Sequence, residues 1–180
     1  MFKELLSSLR AILVFTVLTG LLYPLALTGL SQLAFPRQAN GSQIISGDKL
    51  VGSDLIAQKF VSPRYFWPRP SAGDFATVSS GASNQGLTSQ KLLDAVNIRR
   101  KSLGDNAPSD LLYTSASGLD PHISPAAAAF QAPRVAAARH LDFSLVLQEV
   151  HHNTEPPQFG LFGEPRVNVL LLNRALDELR

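Results

Sequence analysis

The sequence contains no cysteine, which excludes disulfides, thiolate nucleophiles and cysteine-ligated metal sites. Charged residues make up only 17%, and a formal net charge of +2 is too small to indicate a nucleic-acid-binding protein. The chain also lacks a G-x-x-x-x-G-K-[ST] phosphate loop, a G-x-S-x-G nucleophile elbow and an H-E-x-x-H metal motif. These absences argue against an enzyme that works by itself.

The most informative absence is local, because positions 11–36 contain no charged side chain. A helix needs about 20 apolar residues to cross the hydrocarbon core of a membrane. A single segment in lipid must be helical, since only a helix satisfies its own backbone there. The stretch therefore predicts one transmembrane helix over residues 11–35. The alternative is a cleaved signal peptide, but its apolar core is only about 7–15 residues long, and no Ala-x-Ala pattern ends this run.

The flanks of this helix predict its orientation. The short N-terminal tail, residues 1–10, carries Lys3 and Arg10 against a single Glu4. Basic residues beside a membrane span favour the cytoplasmic side. We therefore expect a cytoplasmic tail and an extracytoplasmic domain over residues 36–180.

Small residues and proline recur along the predicted helix. Thr16, Gly20, Pro24 and Thr28 are four residues apart, which places them on one slowly drifting face. Small residues at this spacing let a second helix approach closely, although glycine and proline are common in membrane helices in any case. The pattern favours a face that packs against another membrane protein.

The remainder of the chain predicts a mixed α+β domain, large enough to have its own core. Branched residues at 43–45 and 49–56 predict a β-hairpin, and residues 111–114 suggest a further strand. Helices are expected where a capping residue precedes an apolar periodic run, and Pro133 is expected to break or restart one of them. The predicted caps are Thr88 or Ser89, Ser124, Asp142 and Asn168.

Residues 60–72 are unusually rich in aromatic side chains, proline and arginine. Three prolines exclude a regular helix or a central strand. Tyr65, Trp67, Arg64 and Arg69 are residue types favoured at binding hot spots, which suggests a docking surface. The alternative is a loop held against the core by its own aromatic residues.

A second loop, residues 80–86, is rich in serine and glycine and is followed by a predicted helix. Backbone amides in such a loop can bind anions. Most loops of this composition, however, are only connections.

The candidates for catalysis are few. Asp120 and His122 lie near several serines, which formally allows a membrane-anchored serine hydrolase, although His122 is more simply explained as a residue that orients its loop. His151 and His152 are adjacent and point about 100° apart on a helix, so they do not readily share one metal ion.

Five motifs occur in one order behind the predicted membrane helix. They are TGLLYPLALTGLSQLAFPRQANGS, PRYFWPRPSA, SGASNQG, ASGLDPHISP and FGLFGEPRVNVLLLN. Together they closely resemble the C-subunit family of the Kdp potassium-transporting P-type ATPase. The resemblance covers residues 18–177.

This resemblance implies a subunit without catalysis of its own, in the inner membrane of a bacterium. Its implied partners are a channel-like potassium-binding subunit, a P-type ATP-hydrolysing subunit and a small membrane peptide. The C subunit is implied to be necessary for assembly and to act as a catalytic chaperone that raises the ATP affinity of the hydrolytic subunit.

The resemblance also suggests a nucleotide loop, because residues 80–86 match the family pattern SGGSN-x-G. Ala82 replaces the middle glycine and Gln85 the usual leucine. The matching residues are Ser80, Gly81, Ser83, Asn84 and Gly86. Any ATP contact would be shared with the hydrolytic subunit, and no cofactor of its own is expected.

The charge argument conflicts with direct ATP contact, because it places residues 36–180 outside the cytoplasm. We therefore favour a structural and gating role in which the domain covers the ion-uptake side. Residues 64–69, or the loop that contains Asp120 and His122, are expected to dock onto the channel-like subunit. The alternatives are an anchored extracytoplasmic hydrolase using His122 and a free-standing anchored binding protein.

Overall fold

The structure is a computed structural model that describes residues 2–179. It separates into two compact units, one ending at Ser53 and the other beginning at Asp54. The predicted class is confirmed: one apolar N-terminal helix precedes a domain of mixed helices and strands. The predicted boundaries at residues 10 and 35 stay predictions.

The N-terminal unit consists mainly of one long rod, Phe2–Ala34, whose most apolar 18-residue stretch has a mean hydropathy of 2.0. It comprises α1 (Phe2–Val17), a π-helical turn (Leu18–Leu22) and α2 (Tyr23–Ala34). The short α3 (Pro36–Ala39) follows. The helix thus begins well before the uncharged stretch and includes Lys3 and Arg10.

The predicted hairpin is present in the N-terminal unit. Strands β1 (Gln43–Ser46) and β2 (Lys49–Ser53) pair in antiparallel fashion, and β2 ends earlier than predicted. The connecting turn has Gly47 at φ +60°, a conformation that glycine adopts without strain.

Over residues 54–179 the C-terminal unit contains five helices and a three-stranded antiparallel sheet in the order β3-β5-β4. The helices are α4 (Gln90–Leu103), α5 (Ser109–Leu112), α6 (Pro125–Arg139), α7 (Phe143–His152) and α8 (Val169–Glu178). The strands are β3 (His122–Ile123), β4 (Thr154–Glu155) and β5 (Arg166–Asn168). These strands are only two or three residues long, and the sequence did not reveal them.

The main core of this unit lies where α6, α7 and α8 pack against the small sheet. Its largest fully buried side chains include Phe66, Ile123, Val135, Leu172 and Leu176. Three of the predicted caps accept hydrogen bonds from the first turn of their helices: Ser124, Asp142 and Asn168. Ser89 precedes α4 without such a side-chain bond.

Two expectations were wrong. Residues 111–114 do not form a strand, because Leu111 and Leu112 belong to α5 and are both buried there. Pro133 does not interrupt α6. The helix continues because buried Ala132, Val135 and Ala136 pack into the core on either side of Pro133, which is itself exposed. Tertiary packing outweighs the lost backbone hydrogen bond.

Candidate functional site

The aromatic segment, residues 60–72, is attached to the core through its backbone. Phe66 is fully buried, its N–H donates to Asn173 Oδ1 at 2.8 Å, and its carbonyl accepts from Asn173 Nδ2 at 3.0 Å. Asn173 lies on α8 and is itself buried. A side-chain amide therefore satisfies both polar groups of Phe66, which allows a loop to enter the core without unpaired backbone groups.

Trp67 is held in the same way by α6. Its N–H donates to Gln131 Oε1 at 2.9 Å, and its carbonyl accepts from Gln131 Nε2 at 3.1 Å. The guanidinium of Arg134 lies 3.8 Å from the centroid of the Trp67 ring. The indole N–H donates to the Ser62 carbonyl. The aromatic face of Trp67 is thus occupied within the molecule by a cation–π contact.

Two arginines of α6 complete the attachment. Arg134 donates to the carbonyls of Pro63 and Tyr65, and burial lowers the pKa of Arg134 to about 10. Arg139 donates to the Arg64 carbonyl at 2.6 Å and lies 5.0 Å from the Tyr65 ring. The two rings of this segment that were candidates for docking, Tyr65 and Trp67, therefore make internal contacts.

The arginines of the segment have different environments. Arg64 is exposed, whereas the half-buried Arg69 pairs with Asp120 at 3.3 Å. Burial by itself would raise the pKa of Asp120, but hydrogen bonds from the side chain and backbone of His122, together with the charge of Arg69, lower it overall. His122 Nδ1 lies 3.5 Å from Asp120 Oδ1. The structure thus brings three of the predicted docking residues, Arg69, Asp120 and His122, into one group.

This group lines an open cleft of about 590 Å³ between the Asp120 loop and the segment before β5. Its charged and aromatic lining consists of Arg69, Asp110, Tyr113, Asp120, His122, Glu164 and Arg166. Arg166 pairs with Glu155 at 2.8 Å and not with its near neighbour Glu164. The cleft carries charges of both signs and is open to solvent.

The described residues of the cleft, within 2–179, do not pair His122 with a serine. Ser124, the serine close to His122 in sequence, uses its hydroxyl to accept from the Ala127 amide as a helix cap. Across the described residues, no serine hydroxyl hydrogen-bonds to His122, and an activated nucleophile needs such a base. Nor do these residues contain a group of three potential metal ligands among His, Asp and Glu.

The loop at residues 80–86 lies against the segment before Asp120. Ser80 donates to the Ser117 carbonyl at 2.8 Å, and Ser83 accepts from Thr114 at 3.4 Å. A Cβ at Gly118 would lie 2.9 Å from the Gly81 carbonyl, so the two loops can approach this closely only with glycine at 118. Asn84 is exposed in the left-handed region at φ +51°. The predicted nucleotide role stays a prediction.

The four positions of the membrane-helix face, Thr16, Gly20, Pro24 and Thr28, lie along the exposed rod. The methyl group of Thr16 lies 4.0 Å from the position that a Gly20 Cβ would take. Thr28 donates its hydroxyl to the Pro24 carbonyl at 2.8 Å, so it does not need a partner elsewhere. The packing role of this face stays a prediction.

Sequence reasoning missed the residues that hold the aromatic segment. Gln131 and Arg134 are three positions apart on α6, so periodicity alone would have marked them as a polar stripe on one face of that helix. Asn173 lies on the buried face of α8. Their partners lie 64 to 107 positions away along the chain.

Comparisons with known proteins give a consistent result. Residues 5–178 match the family model described as KdpC: K+-transporting ATPase, c chain. A potassium-transporting ATPase KdpC subunit from Methylococcus capsulatus is 52% identical over 190 residues, covering 100% of both chains. Subunits of the same name from Dechloromonas aromatica and Rhodospirillum rubrum are 51% and 50% identical. They cover 91% and 99% of this chain, and 91% and 97% of their own lengths.

Proposed function

The chain belongs to the KdpC family of potassium-transporting ATPase subunits, and from this premise we propose that it is a non-catalytic accessory subunit required for assembly of the transport complex. Its partners are a channel-like potassium-binding subunit, an ATP-hydrolysing P-type subunit and a small membrane peptide. The complex lies in a bacterial inner membrane.

The observation that carries the proposal is the exposure of the N-terminal rod. None of its most apolar 18-residue stretch is buried within the structure, although the rod is long enough to span a bilayer. Lipid can cover most of this surface, but lipid gains little from the small residues at positions 16, 20, 24 and 28. A membrane partner that packs on this face accounts for both the hydropathy and the small residues.

The flanking charges support an N-terminus in the cytoplasm. Lys3 and Arg10 lie within the first turns of the rod, and Glu4 is the single acidic residue among them. In this orientation the C-terminal unit lies outside the cytoplasm, on the side from which potassium is taken up. The unit then covers that side of the complex and influences access of the ion.

The docking surface of the C-terminal unit is proposed to include Arg64 and the group formed by Arg69, Asp120 and His122. Support comes from exposure and placement: the Arg64 side chain is exposed, and the other three line an open cleft. Tyr65 and Trp67 then act by holding the segment in shape, because their rings already contact Arg139 and Arg134.

The effect on nucleotide affinity is proposed to be indirect. In the orientation above, the loop at residues 80–86 and cytoplasmic ATP lie on opposite sides of the membrane. A subunit that binds one conformation of its partner better than another shifts that equilibrium without touching the second ligand. The membrane rod is the element that could transmit such a preference.

Protease accessibility and co-purification test the proposal together. The full chain is expressed with its partner subunits, and protease is added to spheroplasts or to inside-out vesicles. We expect digestion of the C-terminal unit only from outside, and recovery of large membrane subunits with the chain after gentle detergent extraction. Digestion only in inside-out vesicles, or recovery of the chain alone, would contradict it.

A matched variant separates this function from the hydrolase alternative. His122→Ala removes one member of the proposed docking group, so it should weaken recovery of the complex by no more than about tenfold and leave the recovered complex active in potassium-dependent growth. An ester-hydrolysing activity of the purified complex that disappears in this variant would instead favour the hydrolase.

A further inference from the structure

An exposed apolar tip projects from the small sheet of the C-terminal unit. It lies in the connection between β4 and β5 and consists of Phe159, Leu161 and Phe162, whose exposed fractions are 88%, 76% and 63%. Three large apolar side chains within four positions form a contiguous exposed patch. Such patches mark interaction sites more often than isolated surface residues do.

The tip is closed by its own backbone. Gln158 donates to the Phe162 carbonyl at 2.8 Å, and Phe162 donates back to the Gln158 carbonyl at 2.9 Å. Within this turn Phe159 adopts φ +55°, a left-handed conformation that is unfavourable for a bulky residue. The loop therefore holds its apolar side chains outward in a fixed arrangement, which reduces the entropy lost on binding.

The base of the tip is continuous with the cleft described above, because Glu164 lines that cleft together with Asp110. The other charges of the cleft pair with each other or with a neighbour: Arg69 with Asp120, and Arg166 with Glu155. Across residues 2–179, no cation lies within ion-pair distance of Asp110 or Glu164. Asp110 Oδ2 accepts from the Ser124 N–H at 2.6 Å, so the surface combines an apolar projection with two carboxylates that have no cationic partner among the described residues.

We propose that the apolar tip inserts into an apolar pocket on another subunit of the same ATPase, and that a lysine or arginine beside this pocket enters the cleft and pairs with Glu164 and Asp110. This inference rests on the proposed function and names the chemistry of the partner surface. It extends the docking surface from the Asp120 loop to a segment for which the sequence indicated no role.

A protein pocket explains the tip better than a lipid surface does. Segments that lie in the membrane interface usually combine apolar residues with a rim of lysine or arginine. Here the nearest charged residue is Glu164, which an anionic lipid surface would repel. The fixed turn also matches a shaped pocket, whereas insertion into fluid lipid requires no particular shape.

The first test uses the full chain expressed with its partner subunits. The double variant Leu161→Ser/Phe162→Ser keeps the backbone bonds of the turn but removes two apolar side chains. Hot-spot residues weaken binding by about 30-fold each when truncated, so we expect at least about a fivefold loss of partner recovered after gentle extraction. Ile98→Ser is the matched control, because Ile98 is 68% exposed on α4 and far from the tip in sequence.

The second test addresses the charge and the kind of partner. Glu164→Lys should reduce recovery about as much as the double variant, whereas Asp105→Lys, another exposed acidic position, should not. A photoreactive residue at position 161 should form adducts with a partner subunit.

The outcomes separate this inference from the proposed function. If the wild-type chain recovers its partners and the tip variants do so equally well, the inference is wrong and the proposed function stands. If position 161 forms adducts with lipid alone, the tip is a membrane contact and the inference is likewise wrong. Failure of the wild-type chain to recover any partner would instead remove the proposed function.

Discussion

Two loops of the C-terminal unit are rich in aromatic residues, yet one is held in the core and the other projects outward. The aromatic segment buries Phe66 completely, whereas Phe159 in the apolar tip is 88% exposed. The difference lies in the backbone. Side chains from α6 and α8 satisfy the polar groups of the first loop, while the second closes on itself through Gln158 and Phe162. A loop enters a core only when distant residues can pair with its backbone.

The largest expected effect comes from Phe66→Ala, which removes the side chain at the centre of the first loop. Loss of a fully buried phenylalanine should destabilise the C-terminal unit by about 3–5 kcal/mol. Unfolding of the full chain in detergent can be followed in urea through Trp67, the one tryptophan in the sequence. Phe162→Ala is the control and should change the free energy of unfolding by less than about 0.5 kcal/mol. Equal changes in the free energy of unfolding for the two variants would contradict the claim that only the first loop is part of the core.

Asn173→Ala tests whether backbone pairing is what brings the first loop inward. It leaves the N–H and the carbonyl of Phe66 without their partner in a buried site. Each unsatisfied group costs about 1–3 kcal/mol, so the free energy of unfolding should fall by at least about 2 kcal/mol. The urea midpoint measures this change, and Asn97→Ala at an exposed position of α4 should leave it unaltered. A loss below about 0.5 kcal/mol would show that Phe66 burial does not depend on this pairing.

Asp120→Asn probes the ion pair at the far end of the aromatic segment. The folded pKa of Asp120 lies below its ordinary value of 3.8, so its carboxylate stabilises the fold above that pH and loses this contribution as pH falls through the folded pKa. Because the pair is partly exposed, the contribution should be below about 1 kcal/mol. Urea unfolding at several pH values should show wild type and variant differing at pH 5 and converging as the pH falls below 3.8. A difference that stayed constant with pH would show that the substitution does not act through loss of the carboxylate charge.

Phe159→Asn is expected to have the smallest effect, with the opposite sign. Asparagine tolerates the left-handed conformation at φ +55° better than phenylalanine does. The side chain lost is almost fully exposed, so no core contact disappears with it. The unfolding free energy should rise by about 0.5–1 kcal/mol, while recovery of partner subunits falls. A destabilised variant would show that the phenylalanine has a structural role within the unit.

The sequence predicted features that depend on neighbouring residues. The caps at Ser124, Asp142 and Asn168 and the hairpin around Gly47 follow from a few adjacent positions, and the structure confirms them. The apolar rod follows equally directly from its uncharged stretch. In each case the physical cause lies within one or two turns of the chain.

Features that depend on distant residues could not be predicted in the same way. Strand β5 is three residues long and pairs with β3 on one side and β4 on the other, so its existence is set by tertiary context. The contact between Phe66 and Asn173 spans 107 positions. The grouping of Arg69 with Asp120, 51 positions apart, is of the same kind, and both residues line the cleft.

The π-helical turn at Leu18–Leu22 has a consequence for the shape of the apolar rod. In a regular α-helix, residues spaced by four wind around the axis by about 40° at each step. The wider turn, in which the Tyr23 amide reaches back to the Leu18 carbonyl, advances by less per residue and partly cancels that winding. The face that contains Gly20 and Pro24 therefore runs more nearly parallel to the helix axis. A neighbouring helix could pack along this face without coiling around the rod.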